Sequence, residues 1–120
     1  MVVGAAAASE RHSVMQQRQW HFSDLHAFKD FVGFVKLCAP DQFPPRDGVP
    51  EAEQWTLALA HEGLEHGLKI AASEGVNESV LSECRALFDK AFEYYRAANL
   101  HDAFKSMEAA QRILRRVPSQ

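Results

Sequence analysis

The sequence predicts a single all-α domain: a bundle of about four helices whose last two form an antiparallel hairpin. Three observations lead there. Apolar residues recur at spacings of three and four through most of the chain, as one face of a helix requires. Capping and breaking residues fall between these stretches. At 120 residues, 47% hydrophobic and 24% charged, the chain is the size of one domain and has enough apolar side chains for one modest core.

The elements follow in chain order. Residues 1–12 read as a mobile tail of small residues ending in Ser9-Glu10-Arg11-His12, and residues 13–118 as the domain. From Val14 to Phe22 the pattern is mixed. Trp20 and Phe22 alternate with polar neighbours as in an extended segment laying its aromatics on the domain, while Val14, Met15 and Arg18 also suit a helical turn. Ser23 is the expected N-cap of a first helix over about Asp24 to Leu37, with Leu25, Phe28, Phe31, Val32 and Val35 on its buried face.

Residues 39–50 carry four prolines and the turn pair Asp47-Gly48. This is read as an ordered strap anchored by Phe43 across one end of the bundle, and also as a candidate functional element because it is long for a helix connection. Pro50 suits the first turn of a second helix running to about Ala72, with Glu51 and Glu53 at its positive end. Leu57, Ala60, Leu64, Leu68 and Ala71 form its stripe, flanked by Trp55 and Leu59, and Gly75 ends it. Gly63 and Gly67 each cost this helix about 1 kcal/mol relative to alanine, so close packing of a neighbour is expected beside them.

The most regular stretch is Val80–Val117. Asn77 or Ser79 can cap the third helix, whose face is Val80, Cys84, Leu87, Phe88, Ala91, Phe92, Tyr95 and Ala98. A break at Asn99-Leu100-His101 follows. Asp102 is the expected cap of the fourth helix, whose face is Ala103, Met107, Ala110, Leu114 and Val117, with Phe104 and Ile113 beside it; Pro118 ends it. Arg85 with Asp89 and Glu108 with Arg112 are spaced for i,i+4 ion pairs.

Residues 83–117 thus resemble one tetratricopeptide repeat. Leu87, Ala91 and Tyr94 would take the large, small and aromatic positions of its first helix, and Ala103, Met107 and Ala110 the small, large and small positions of its second. Leu87 stands where that repeat usually has tryptophan and Lys90 where it has leucine, and no second copy is present. The resemblance implies helical-hairpin geometry and protein binding. One repeat alone does not build a superhelical groove.

Charge is unevenly placed. Residues 51–78 hold six acids (Glu51, Glu53, Glu62, Glu65, Glu74, Glu78) against Lys69 alone, residues 79–120 carry two more bases than acids, and the chain as a whole is −3. That sign disfavours nucleic acid. No apolar run is long enough to span a membrane. Cys38 and Cys84 make neither a disulfide framework nor a metal spacing, so a reducing, cytoplasmic setting is expected.

No nucleophile, base and positioning group can be assembled into a catalytic motif, and no cofactor is expected. His61-Glu62-Gly63-Leu64-Glu65-His66 lacks the i,i+4 histidines of a zinc-protease helix. Its pairs His61 with Glu65 and Glu62 with His66 can serve a metal only if other helices supply ligands, with His21, His26 and His101 as candidate donors. The expected function is therefore a non-enzymatic interaction or regulatory module that binds another protein or a second copy of itself. Glu51, Glu53, Glu62, His66, Phe43 and Tyr94 are the candidate partner-binding residues. A metal- or small-molecule-binding bundle, enzymes included, is the alternative class. An immunity protein with an acidic binding face and a secretion chaperone also fit the composition.

Overall fold

A computed structural model describes residues 22–118. The expectations for the tail at 1–12 and for residues 14–21 lie outside the described residues. Among the described residues four α-helices follow one another: α1 (Leu25–Cys38), α2 (Leu57–Ser73), α3 (Glu78–Arg96) and α4 (Leu100–Arg115), with a 3-10 turn at Glu51–Glu53 between the first two. There is no strand among the described residues, and no helix is long and apolar enough to cross a membrane.

Each helix packs against its two neighbours in a closed ring: α1 on α2, α2 on α3, α3 on α4, and α4 back on α1. Residue pairings show that neighbours run antiparallel. Glu65 meets Arg85 and His61 meets Asp89 between α2 and α3. Lys36 donates to Gln111 Oε1 at 2.7 Å, and Lys29 donates to the Val117 carbonyl, between α1 and α4. The molecule is an up-down-up-down bundle.

Helix ends are fixed by side chains of which the sequence had named only some. α1 begins after Asp24, not Ser23, because the Asp24 carboxylate accepts from Ala27 N at 2.8 Å. The next amide, Leu25 N, donates to Glu74 Oε2 at 2.8 Å, a cap supplied from the far end of α2. α2 does not begin at Pro50. That proline starts only the 3-10 turn, and Thr56 caps the helix by accepting from Leu59 N at 3.0 Å. The cause is Gln54. Its side-chain amide bonds the backbone of Arg46 through both N–H and C=O and reaches the Val49 carbonyl, holding residue 54 extended. Asn77 caps α3, accepting from Ser79 N.

Both α2 and α3 end in Schellman turns. Gly75 takes the left-handed position after α2 (φ 89), and Val76 N donates to Ala71 O. After α3 that position falls on Ala98 (φ 62), and Asn99 N donates to Tyr94 O at 2.8 Å. The break therefore sits one residue earlier than Asn99-Leu100-His101, and Ala98 leaves the apolar stripe for solvent. Asn99, not Asp102, caps α4. Its Oδ1 accepts from Asp102 N while its Nδ2 donates to the Asp102 carboxylate.

A left-handed residue with a Cβ costs roughly 1–2 kcal/mol. Ala98→Gly relieves that strain and gives back part of it as unfolded-chain entropy. The variant is expected to gain about 0.5–1 kcal/mol, read as a rise of about 2–4 °C in melting temperature by circular dichroism.

The core is aromatic and fully enclosed. Phe28, Phe88 and Phe92 have no solvent exposure, nor do Leu64, Val32, Val35 and Met107. Phe28 and Phe88 meet edge to face at 6.4 Å between centroids. At Gly67 α1 presses tightly on α2: a Cβ there would lie 1.9 Å from the Phe28 ring. In the α3–α4 hairpin Ala91, Ala103 and Ala110 are sealed between the helices, and Leu87 is half-buried. Tyr95 is buried with its hydroxyl unpartnered among the described residues, and burial pushes its pKa up to about 12.

Candidate functional site: an aromatic cleft beside the proline-rich strap

α1 has a second apolar face. Leu25, Phe28, Val32 and Val35 point to the core, while Ala27, Asp30, Phe31 and Phe34, spaced over two turns, form an adjoining stripe. The strap lies beside that stripe. Phe43 stacks on Trp55 (6.0 Å, 27°) and approaches Phe34 at 5.8 Å. Trp55 in turn contacts Phe34 at 5.3 Å and Phe31 at 5.7 Å. The Arg46 guanidinium lies 5.5 Å over the Trp55 ring, and its Nη1 donates to the Glu53 carbonyl at 3.0 Å.

Along this face of α1, between Phe22 and Trp55, lies a cleft of about 350 Å³ lined by Phe22, Ala27, Asp30, Phe31, Phe34 and Trp55. Its walls are aromatic, with one carboxylate, Asp30, among them. That volume lies at the small end of ligand pockets and suits one large apolar side chain.

The six candidate partner-binding residues do not converge on one patch. Phe43 is half-buried in the aromatic cluster. Glu51 and Glu53 are exposed on the 3-10 turn that leads into Trp55. Glu62 is exposed on α2, one turn from His66. The His66 ring lies 5.6 Å from Phe22, and burial, with Lys69 nearby, lowers its pKa. Tyr94 sits apart on α3, half-buried, with Lys90 over its ring at 5.9 Å. Phe92 is fully enclosed, so no exposed patch forms between it and the tyrosines. Phe34, Ala27 and Asp30 were not among the sequence candidates. Their 27-30-31-34 spacing was the available signal.

Ion pairing also departs from the local rule. Arg85 does not bond Asp89 but reaches across to Glu65 at 3.3 Å, and Asp89 Oδ1 pairs with His61 Nε2 at 3.1 Å. Both partners lie on α2, directly opposite, where the antiparallel helices bring them closer than one turn of α3. Glu108 and Arg112 do face each other, at 3.9 Å. The acidic stretch 51–78 is thereby divided: Glu74 caps α1, Glu65 holds Arg85, and Glu51 and Glu53 face solvent.

Neither thiol is an activated nucleophile. Cys84 is fully enclosed, and burial together with Glu83 pushes its pKa up to about 11. Burial also raises that of Cys38.

Fold and cleft define a class: a small helical bundle with an aromatic cleft at one edge. No protein-family model, curated protein sequence or solved structure matches the chain.

Proposed function

We propose that this protein is a non-enzymatic interaction module that captures a partner protein by inserting one of the partner's large apolar side chains into the aromatic cleft along α1, between Phe22 and Trp55. The carrying observation is the cleft itself, whose walls are the rings of Phe22, Phe31, Phe34 and Trp55 with Asp30 beside them. Interfaces concentrate their energy in such pockets, ringed by polar groups. Asp30 in the wall and exposed Glu51 and Glu53 on the adjoining turn favour a partner segment with basic flanks. The sealed alanines of the α3–α4 hairpin support the tetratricopeptide-like reading, in which the hairpin serves as scaffold.

The test fills the cleft without emptying the core. Ala27→Trp places an indole where the partner side chain would go, on a half-buried helical position. Proteins retained by the wild-type chain from extract of its native cell are expected to be lost by the variant, with melting temperature unchanged within about 3 °C. Equal retention by both proteins would remove the cleft from the interface. A doubled mass by light scattering that Ala27→Trp returns to monomer would identify the partner as a second copy.

A further inference from the structure

We propose that His61, Glu65 and Asp89 form a site for a divalent transition-metal ion, best suited to Zn²⁺, that bridges α2 and α3. This site is separate from the aromatic cleft and stands or falls independently of the function assigned to it.

One donor atom from each of the three residues lies within 4.8 Å of the others. His61 and Glu65 are one turn apart on α2 and share a face. Asp89 comes from the antiparallel neighbour, α3, at the level of His61. The His61 Nε2 to Asp89 Oδ1 distance is 3.1 Å. Ligand bonds of 2.0–2.1 Å around a tetrahedral zinc place neighbouring ligand atoms about 3.3 Å apart, so this pair already spans one edge of the coordination shell. Glu65 completes a face by a small rotation of a flexible side chain.

The imidazole is held in place for this. Its ring stacks on the fully enclosed Phe92 ring at 4.7 Å and 26°, which fixes its plane while Nε2 is directed at Asp89. A cation already stands at the site: the Arg85 guanidinium lies 3.3 Å from Glu65. Arg85 is nearly half exposed on a long side chain, so a metal ion can displace it into water. One imidazole and two carboxylates make a donor set that suits zinc rather than the all-oxygen shells of calcium or magnesium. Three protein ligands leave the fourth position to water or to a donor from a partner.

The test uses the untagged full-length chain. Titration with ZnCl₂ by calorimetry at pH 7.5 is expected to show one ion per chain and a raised melting temperature, with no such response to MgCl₂. Co²⁺ substituted for zinc is expected to give the visible absorption of tetrahedral coordination. Asp89→Asn, at an exposed position, should weaken zinc binding about tenfold or more while the apo-protein melts as wild type, and His61→Ala should abolish one-to-one binding. Arg85→Gln should tighten binding, because the competing guanidinium is gone. Zinc binding that is undiminished in both Asp89→Asn and His61→Ala would assign the metal to other histidines and overturn the proposal. Absence of one-to-one binding to the wild-type chain at 100 micromolar zinc (about 5.5 kcal/mol at that dissociation constant) would also overturn it, as would unchanged or weaker binding by Arg85→Gln.

Discussion

Phe28→Ala is expected to destabilise the protein by about 4 kcal/mol, the range for emptying a buried phenylalanine site. Phe28 has no solvent exposure, and its ring is boxed by Phe22 at 5.9 Å, Phe88 at 6.4 Å and the backbone of α2 at Gly67. Helices α2 and α3 pin two walls of that box, so collapse into the cavity is limited and the cavity term persists. Domains of this kind are stable by about 5–15 kcal/mol, so one substitution removes a large part of the total. Urea unfolding followed by far-ultraviolet circular dichroism should place the midpoint roughly 2 M lower, taking a slope of about 2 kcal/mol per molar. A loss under about 1 kcal/mol would mean that the ring is not the keystone between α1 and α2.

Gly67→Ala is the second large effect, and its sign opposes helix propensity. Alanine at an exposed helical position would stabilise by about 1 kcal/mol. Here the new methyl would lie 1.9 Å from one Phe28 ring carbon and 2.0 Å from another, and that ring has no free space to enter. Relief requires α1 and α2 to separate or Phe28 to leave its rotamer, which makes a net loss of about 3 kcal/mol the expected result in the same urea titration. Gly33→Ala is the matched control. There the nearest atom is Nε2 of Gln111, at 3.1 Å, a side chain that also accepts from Lys36, so the small shift it must make offsets the helix-propensity gain and stability should change by less than about 1 kcal/mol. The two large effects are coupled through one volume. With the Phe28 ring removed, the Gly67→Ala methyl has room, so the double variant should be less destabilised than the two losses added. Strict additivity would show that the methyl and the ring do not compete.

The outcome of sequence reading follows the range of the forces involved. The stripes of α1, α3 and α4 were legible because burial alternates with the helical period wherever one face meets a core: Phe28, Phe88, Met107 and Leu114 are enclosed as their spacing demands. The expected close approach at Gly67 was legible for the same reason. Three features were decided by contacts that reach beyond one helical turn. Pro50 has the right local chemistry to start a helix, but Gln54 is drawn into the strap by Arg46 and Val49, and the helix waits for Thr56. Arg85 and Asp89 have the right spacing to pair, but the facing helix offers both a nearer partner. Trp55 was read as a flank of α2, yet it stands before the helix and stacks on Phe43. The cleft escaped notice because only a helix with two apolar faces reveals it, and the second face of α1 is interrupted by Asp30.

Glu74 carries one further consequence. It is the C-cap residue of α2, and its carboxylate closes the first amide of α1. A negative charge is unfavourable at the end of one helix and favourable at the start of the next, so a single group couples the two termini with opposite signs. Helix ends ordinarily fray one at a time and at little cost. Here the last turn of α2 cannot unwind without releasing the Leu25 amide, and α1 cannot peel from its start without returning Glu74 to water. The two termini are therefore expected to open as one cooperative unit, read by hydrogen exchange as slower amide exchange at that end of the bundle than two free helix ends would give.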